Sequence, residues 1–415
     1  MRSLSSVLFC GLLALIALPA PAQPPAVPDA EAAAESPTAA TDGAGPGLEA
    51  LARFAQVYHL VKSAYVDTVD DAELIELAIA GMLAGLDDHS AWLDADTLAV
   101  LTDDTLGAYD GLGVEVLSGD GVIQVLSAMP DSPADRAGLR AGDFITHIDG
   151  ERIGRGNLEA SLRKLRGRPG TRIRLTVERD GEDDARELEL LRARIRLSSV
   201  SADLAAPGWG HVRVSMVQAQ TVPELGRRLR GLEREGGPLK GLVLDLRGNP
   251  GGALDAAVAI ADLFLAEGRI VAMDGRLDGT RRSYDARPGS PWETLPVVVL
   301  IDRGSASAAE IIAAALQDNG RAKVLGERSY GKGSVQNVFA LDPDHAVRLT
   351  TARYYTPAGR SIQDEGVIPD RLVADSDDGA GGDPVLRQAL ELLAATKLQE
   401  SPPESPPTVD RKSVD

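Results

Sequence analysis

The sequence predicts a multidomain chain of the α+β / α/β class: a helical N-terminal unit, a small β module and an α/β core. Two observations predict it. The apolar spacing changes from three-and-four to two at about Tyr109, and beyond Ser198 strand-like and helix-like segments alternate. In addition, 415 residues with 44% hydrophobic content suffice for two or three cores.

Residues 1–22 read as a leader. Arg2 precedes the apolar run "VLFCGLLALIAL", and Ala20 and Ala22 form an A-x-A cleavage pattern. That is a secretory signal peptide, so the mature chain is expected to be exported, to the periplasm of a Gram-negative bacterium. A retained membrane anchor is the alternative, although the run is short for a bilayer span. Residues 23–47, rich in Ala, Pro, Gly and acid, read as a disordered linker.

The helical unit covers 48–106. "LARFAQVYHLVKSAYV" and "AELIELAIAGMLAGL" carry helical spacing, and His89 in "LDDHS" reads as a structural hydrogen-bonding residue. The β module covers 107–195. "GLGVEVLS", "GVIQVLSAM", "DFITHIDG" and "RIRLTVERDG" alternate like strands, with "SPADRAGLRAGD" as a short helix and turn. The core covers 196–398 and ends in a helix. Its strands include "GHVRVSM", "GLVLDLRG" and "PVVVLID", and its helices "TVPELGRRLRGLERE" and "GALDAAVAIADLFLAEG". "KVLGE", "SVQNVFAL" and "AVRLTTARYYT" return to strands, and 399–415 reads as a disordered tail.

Composition excludes several functions. Cys10, the single cysteine, lies in the leader, so the mature chain has no disulfide, thiolate metal site or cysteine nucleophile. A formal net charge of −19 opposes nucleic-acid binding. The five histidines show no metal-ligand spacing, and no metal or cofactor is implied.

Three loops fall at the carboxyl ends of predicted core strands, where ligands gather in open α/β sheets. "RGNPGG", Arg247 to Gly252, lets backbone N–H groups approach a ligand. "DRGSAS" leads into a helix at Ser307. Ser307 with Glu310 makes a capping box, but strand, tight turn and serine-initiated helix also describe a nucleophile elbow. Ser305 and Ser307 could each be a helix N-cap, and one of them could instead be a nucleophile. "GERSYGKGSVQ" nearly matches a phosphate loop, but Gly333 replaces the required Ser or Thr and a strand follows where a helix is needed. A nucleotide site is therefore rejected, leaving Lys332 among glycines. With no prominent His in the core, a lysine kept neutral by burial could activate a serine.

"GSASAAEIIAAALQDNGRAKVLGERSYGKGSVQ" closely resembles the catalytic segment of the C-terminal processing peptidases, the tail-specific serine proteases with a Ser-Lys dyad. "AIAGMLAGLDDHSAWL" is similar to the family's N-terminal helices. "GLGVEV" through "SPADRAGLRAGDFITHIDG" resembles its PDZ domain. "LVLDLRGNPGG" and "LTTARYYTPAGRSIQDEGVIPD" resemble two further core motifs. The resemblance implies a PDZ-like β module and a crotonase-like peptidase core. Ser307 would be the nucleophile, Lys332 the base and Gln336 the residue that orients the lysine. The backbone N–H of Ala308 and of Gly251 or Gly252 would form the oxyanion hole. Asp88 stands where the family has Pro and "QDEGV" is a variant motif; neither touches the dyad.

The implied activity is endoproteolysis near protein C-termini through an acyl-enzyme. The PDZ loop Gly111, Leu112, Gly113 and Val114 would bind the substrate's C-terminus by β-addition. Partners would be protein or peptide C-termini, with a homo-oligomer or adaptor lipoprotein as further candidates. The alternatives are a non-catalytic PDZ scaffold on a peptidase-like core and an α/β esterase, whose histidine would have to be His345.

Overall fold

The computed structural model describes residues 47–119, 121–182, 184–374 and 382–400. The leader, nearly all of the linker and most of the tail read from the sequence lie outside the described residues. The chain divides into two compact units, up to Leu74 and from Ile75 onward.

In the first unit, α1 (Leu48–Ala64) runs to the start of α2 (Asp71–Ala84). The turn between them is pinned by charge. Lys62 Nζ donates to Val69 O at 2.6 Å and pairs with Asp71, whose carboxylate also accepts from the Tyr58 hydroxyl at 2.8 Å. The helical spacing of α1 places Leu51, Phe54, Val57 and Leu60 in exposed positions.

The second unit begins in α2 and continues with β1 (Ala91–Leu93) and α3 (Ala95–Leu106). Asp94 caps α3 by accepting from Thr97 N–H at 2.8 Å, and Gly107 ends it at φ +65°. The all-helical reading of 48–106 therefore misses β1. Three residues are too short to show a period, and this strand is made by its partner. It pairs antiparallel with Ala346–Arg348.

The β module contains β2 (Ala108–Gly111), β3 (Val114–Gly119), β4 (Val122–Ala128), α4 (Pro133–Arg136), β5 (Phe144–Ile148), β6 (Glu151–Arg152), α5 (Leu158–Leu165), β7 (Arg172–Glu178), β8 (Arg186–Leu191) and β9 (Ala193–Arg196). Ile123 and Val125, then Ile173, Leu175 and Val177, point inward at period two and meet Leu112, Ile145 and Ile148 in one core. The sheet order β3-β4-β5-β7-β8 leaves β3 at an edge.

The core starts with β10 (Val200–Ala206), β11 (Trp209–Val214), α6 (Thr221–Gly236), β12 (Gly241–Asp245) and α7 (Leu254–Asp262). There follow β13 (Arg269–Gly275), β14 (Arg282–Asp285), β15 (Val297–Ile301), α8 (Ala308–Asp318) and β16 (Ala322–Gly326). Last come β17 (Ser334–Ala340), β18 (Ala346–Tyr355), β19 (Arg371–Leu372) and α9 (Pro384–Glu400). The main sheet has the order β10-β11-β12-β15-β16-β19, parallel from β11 onward. β12 and β15 are buried throughout, as continuous apolar runs require when both sheet faces are covered. Leu242 and Leu244 face the cluster of α7 and α8, while Val243 faces α9. A second sheet, β1-β18-β13-β14 with β17 on β18, packs on α8 from the other side. The helix predicted from "GALDAAVAIADLFLAEG" stops early, at Asp262. There the chain turns through Leu263 and buries Phe264 completely.

From Ala308 to Leu316 every residue of α8 is buried. A helix apolar on all sides can only be central. Ile312→Ala removes a fully buried side chain and should cost about 2–5 kcal/mol, because so confined a site cannot collapse around the cavity. Urea unfolding followed by circular dichroism measures it.

Candidate active site

The three loops singled out by sequence leave the carboxyl ends of β12, β15 and β16, which are successive parallel neighbours. The fold therefore brings "RGNPGG", "DRGSAS" and "GERSYGKG" together at one edge of the sheet.

Ser307 opens α8 in a backbone state that side chains avoid, φ +54° and ψ −113°. Ala308, the first helical residue, has an N–H with no intrahelical acceptor. Ser305 is structural, as the sequence suggests. Its buried hydroxyl donates to Leu246 O at 2.8 Å and accepts from Asp302 N–H at 2.9 Å. Asp302 Oδ1 also receives Gly248 N–H and Gly304 N–H, and Ala306 N–H donates to Asn249 O. The loop that carries Ser307 and the glycine loop are thus stitched side by side.

Gly251 has φ +104°, and a Cβ there would stand 2.8 Å from Ala306 O and Ser307 Cβ and 2.9 Å from Ala308 N. Only glycine allows this approach. Its own N–H is already given to Asn249 Oδ1 at 2.8 Å. A Cβ on Gly252 would stand 1.9 Å from Val217 O, and the Gly252 N–H has no acceptor among the described residues.

Lys332 is half-buried. Burial, reinforced by the charge of Arg348, lowers its pKa. No carboxylate pairs with its ammonium among the described residues. Gln336 follows on β17, where the register shifts between Val335 and Gln336. Its amide nitrogen turns to Ser334 Oγ at 2.9 Å and Thr350 Oγ1 at 3.3 Å, and not to Lys332. His345 is elsewhere: it bonds Asp342 and stacks on Trp92 with centroids 5.2 Å apart. The esterase reading thus loses its histidine.

Sequence reasoning gave Glu310 only a capping role, and the structure gives it more. Fully buried, its Oε2 accepts Ser307 N–H at 2.7 Å, the reverse half of a capping box, and also Lys332 N–H at 2.9 Å. Oε1 accepts the Ser329 hydroxyl at 2.6 Å and Gly331 N–H at 2.8 Å. Burial pushes the Glu310 pKa up, and these four bonds offset that only in part. Three of the partners are backbone N–H groups, which can only donate, so both Glu310 oxygens act as acceptors. The signal in the sequence was one acid inside an otherwise apolar, fully buried helix.

A second buried network was also missed. Burial alone would raise the Asp245 pKa, but His211 and Arg247 hold its carboxyl well below the ordinary range. Oδ1 accepts from Arg247 N–H and Nε, each at 3.0 Å, and Oδ2 from Arg247 Nη2 at 2.7 Å. Arg247 also pairs with Asp383. Its sequence signal was an aspartate at the end of the continuous apolar strand "LVLDL".

In the β module, Gly111 is a strand residue paired with Ala193, and the Leu112 side chain belongs to the core. These two hold the loop rather than line it. Gly113, at φ +73°, packs so closely that a Cβ would be 2.3 Å from Ser132 Cβ. The backbone N–H groups of Gly113 and Val114 face the Tyr109 hydroxyl.

Glu310→Gln keeps the shape but turns an NH₂ toward at least one N–H or hydroxyl donor. Unfolding free energy should fall by about 1–3 kcal/mol, the cost of leaving buried donors without an acceptor. Amide exchange at Ser307 and Lys332 should accelerate together, which a simple cavity in α8 would not produce.

Comparison with known proteins shows the family. Residues 208–373 match the model of peptidase family S41 and residues 124–179 a PDZ domain. Residues 22–97 match the N-terminal domain of the activating protease CtpB. A carboxy-terminal-processing protease of Bartonella bacilliformis is 42% identical over 325 residues, 78% of this chain and 75% of the relative. The carboxy-terminal processing protease CtpB of Bacillus subtilis is 31% identical over 348 residues, 83% and 72% of the two chains. A carboxyl-terminal-processing protease of Synechocystis is 35% identical over 326 residues, 77% and 75%. The chain belongs to peptidase family S41, among its PDZ-containing carboxy-terminal processing serine proteases.

Proposed function

We propose that this chain cleaves proteins near their C-termini by a Ser307–Lys332 dyad. The observation that carries the reading is the Glu310 carboxylate, which holds the backbone N–H of both residues on one oxygen. Neutral Lys332 takes the Ser307 proton as Oγ attacks the peptide carbonyl. The oxyanion is received by Ala308 N–H and Gly252 N–H. We assign Gly252 rather than Gly251 because the Gly251 N–H is occupied by Asn249. Lysine returns the proton to the leaving amine as the C–N bond breaks, and water then hydrolyses the acyl-enzyme. Gln336 orients the lysine through its amide oxygen, which no donor occupies among the described residues. A non-catalytic scaffold would have no need to retain Ser307, Lys332 and Gln336 together.

The substrate's C-terminus adds to β3, the free edge of the module, with its carboxylate at the N–H groups of Gly113 and Val114. The 107–195 module thus reads and the 196–398 core cuts. The leader pattern of residues 1–22 supports export to the periplasm, and no described helix is long and apolar enough to cross a membrane. The exposed apolar side chains of α1 support a protein partner, either a second copy or an adaptor lipoprotein.

Ser307→Ala and Lys332→Arg should both abolish turnover, the second because guanidinium stays protonated. Near-normal cleavage by Lys332→Arg would exclude the dyad. The acid limb of kcat/KM reports loss of neutral Lys332 as pH falls. Arg348→Gln removes a cation that favours neutral lysine, so this limb should move to higher pH. A limb that stays in place would remove Lys332 as the titrating base.

Reading of the C-terminus is tested with substrates amidated at that end. Disrupting Gly113 itself would confound the test, since any side chain there strikes Ser132. Amidation should lower cleavage about tenfold, within the usual range of coupling between sites. Unchanged binding and cleavage would dismiss the module as a carboxylate reader.

A further inference from the structure

We infer that Asp383, at the head of the C-terminal helix, is a positioning residue for the glycine loop. The inference rests on the reading that this loop receives the oxyanion beside Ser307. The Arg247 guanidinium lies between two carboxylates from distant parts of the chain. Asp245 ends β12, and Asp383 begins α9, 136 positions after Arg247. Asp383 grips Arg247 with both oxygens, Nη1 to Oδ1 at 3.1 Å and Nη2 to Oδ2. Oδ1 also accepts Val385 N–H and Leu386 N–H, each at 3.0 Å, and so caps α9. One carboxylate therefore joins the helix start to the guanidinium.

Arg247 is the first residue of the glycine loop. Its backbone is held on both sides of Cα: its N–H donates to Asp245 Oδ1 at 3.0 Å and its carbonyl oxygen accepts from Arg213 Nη2 at 3.1 Å. Four residues later Gly251 lies against Ser307 and Ala308 at distances that leave no slack. A shift of the guanidinium is carried along a short loop, tied through the N–H groups of Arg247, Gly248, Asn249 and Gly251, to the oxyanion donors. An error of about 1 Å at a reacting centre is enough to cost two orders of magnitude in rate.

The body of α9 is held by different contacts. Val385, Ala389 and Leu393 pack on Val243, Val298, Leu300 and Leu325. The two contributions can thus be separated: apolar packing for stability, the Asp383 carboxylate for loop position.

The test uses the full chain and three variants, Asp383→Asn, Leu393→Ala and Ser307→Ala. Kinetics are measured on a protein substrate with a free apolar C-terminus, and phosphonylation of the serine by a fluorophosphonate, which forms an O–P bond and expels fluoride. Asn caps helices as well as Asp, so Asp383→Asn leaves α9 capped and removes only the two-pronged grip on Arg247. We expect its kcat to fall about tenfold or more with KM within about twofold, and phosphonylation to slow in parallel. Its melting temperature should stay close to that of the parent. Leu393→Ala should melt lower and keep its kcat at temperatures where it is folded. Unchanged kcat in Asp383→Asn, or a kcat loss that follows melting temperature equally in both variants, overturns the inference. Turnover by Ser307→Ala would instead overturn the dyad reading on which it rests.

Discussion

A buried carboxylate with no partners is among the most costly features a core can contain. Glu310 sits inside α8 with no exposure and is tolerable only because four donors converge on it. The constraint runs in both directions. Once the acid is placed there by the helix, the chain before Ser307 and the chain from Ser329 to Lys332 must bring their N–H groups to it. The unfavourable φ of Ser307 persists for the same reason, since leaving it would strand the carboxylate. The rest of the site is arranged around that fixed point.

The sheet supplies the coarse geometry and the buried charges the fine geometry. Parallel strands β12, β15 and β16 put three loops on one edge, but loops on an edge are mobile unless tied. Two opposite solutions tie them here. On one side an anion gathers backbone N–H groups. On the other, the cationic Arg247 is gripped by Asp245 and Asp383 and anchors the start of the glycine loop. The Glu310 network joins the start of α8 to the loop after β16, and the Arg247 network joins residues 136 positions apart.

That separation explains what the sequence made legible. β12, β15 and α8 were readable because continuous apolar runs are local signals that demand burial on all sides. Ser307, Lys332 and the two glycines were readable as exceptions to local rules: a serine at a helix start after a buried strand, a lysine among glycines, a Gly-Gly pair at a strand end. β1 was invisible because its three residues become a strand only when β18 is beside them. Asp383 was invisible because nothing near it in sequence distinguishes it from any other helix cap, and its partner lies 136 residues away. The Gln336 side chain was placed on the lysine by resemblance. Its direction in the fold depends on a β-bulge and on Thr350 across the sheet, neither of which spacing encodes.

The same carboxylate that fixes the site raises an electrostatic difficulty, and the geometry answers it. An acid beside a lysine ordinarily raises the lysine's pKa and would spoil it as a base. Glu310 touches the Lys332 backbone N–H, but all its observed bonds go to three backbone N–H groups and the Ser329 hydroxyl, and none to the ammonium. Its charge is thereby spread onto fixed dipoles that cannot titrate. Meanwhile burial and the nearby Arg348 both disfavour the protonated lysine. The loop is held by an anion, yet the net influence on the lysine is to lower its pKa. Holding the loop and lowering the lysine pKa, which conflict when a single ion pair must do both, are separated here by giving the carboxylate to the backbone and leaving the amine to burial and to Arg348.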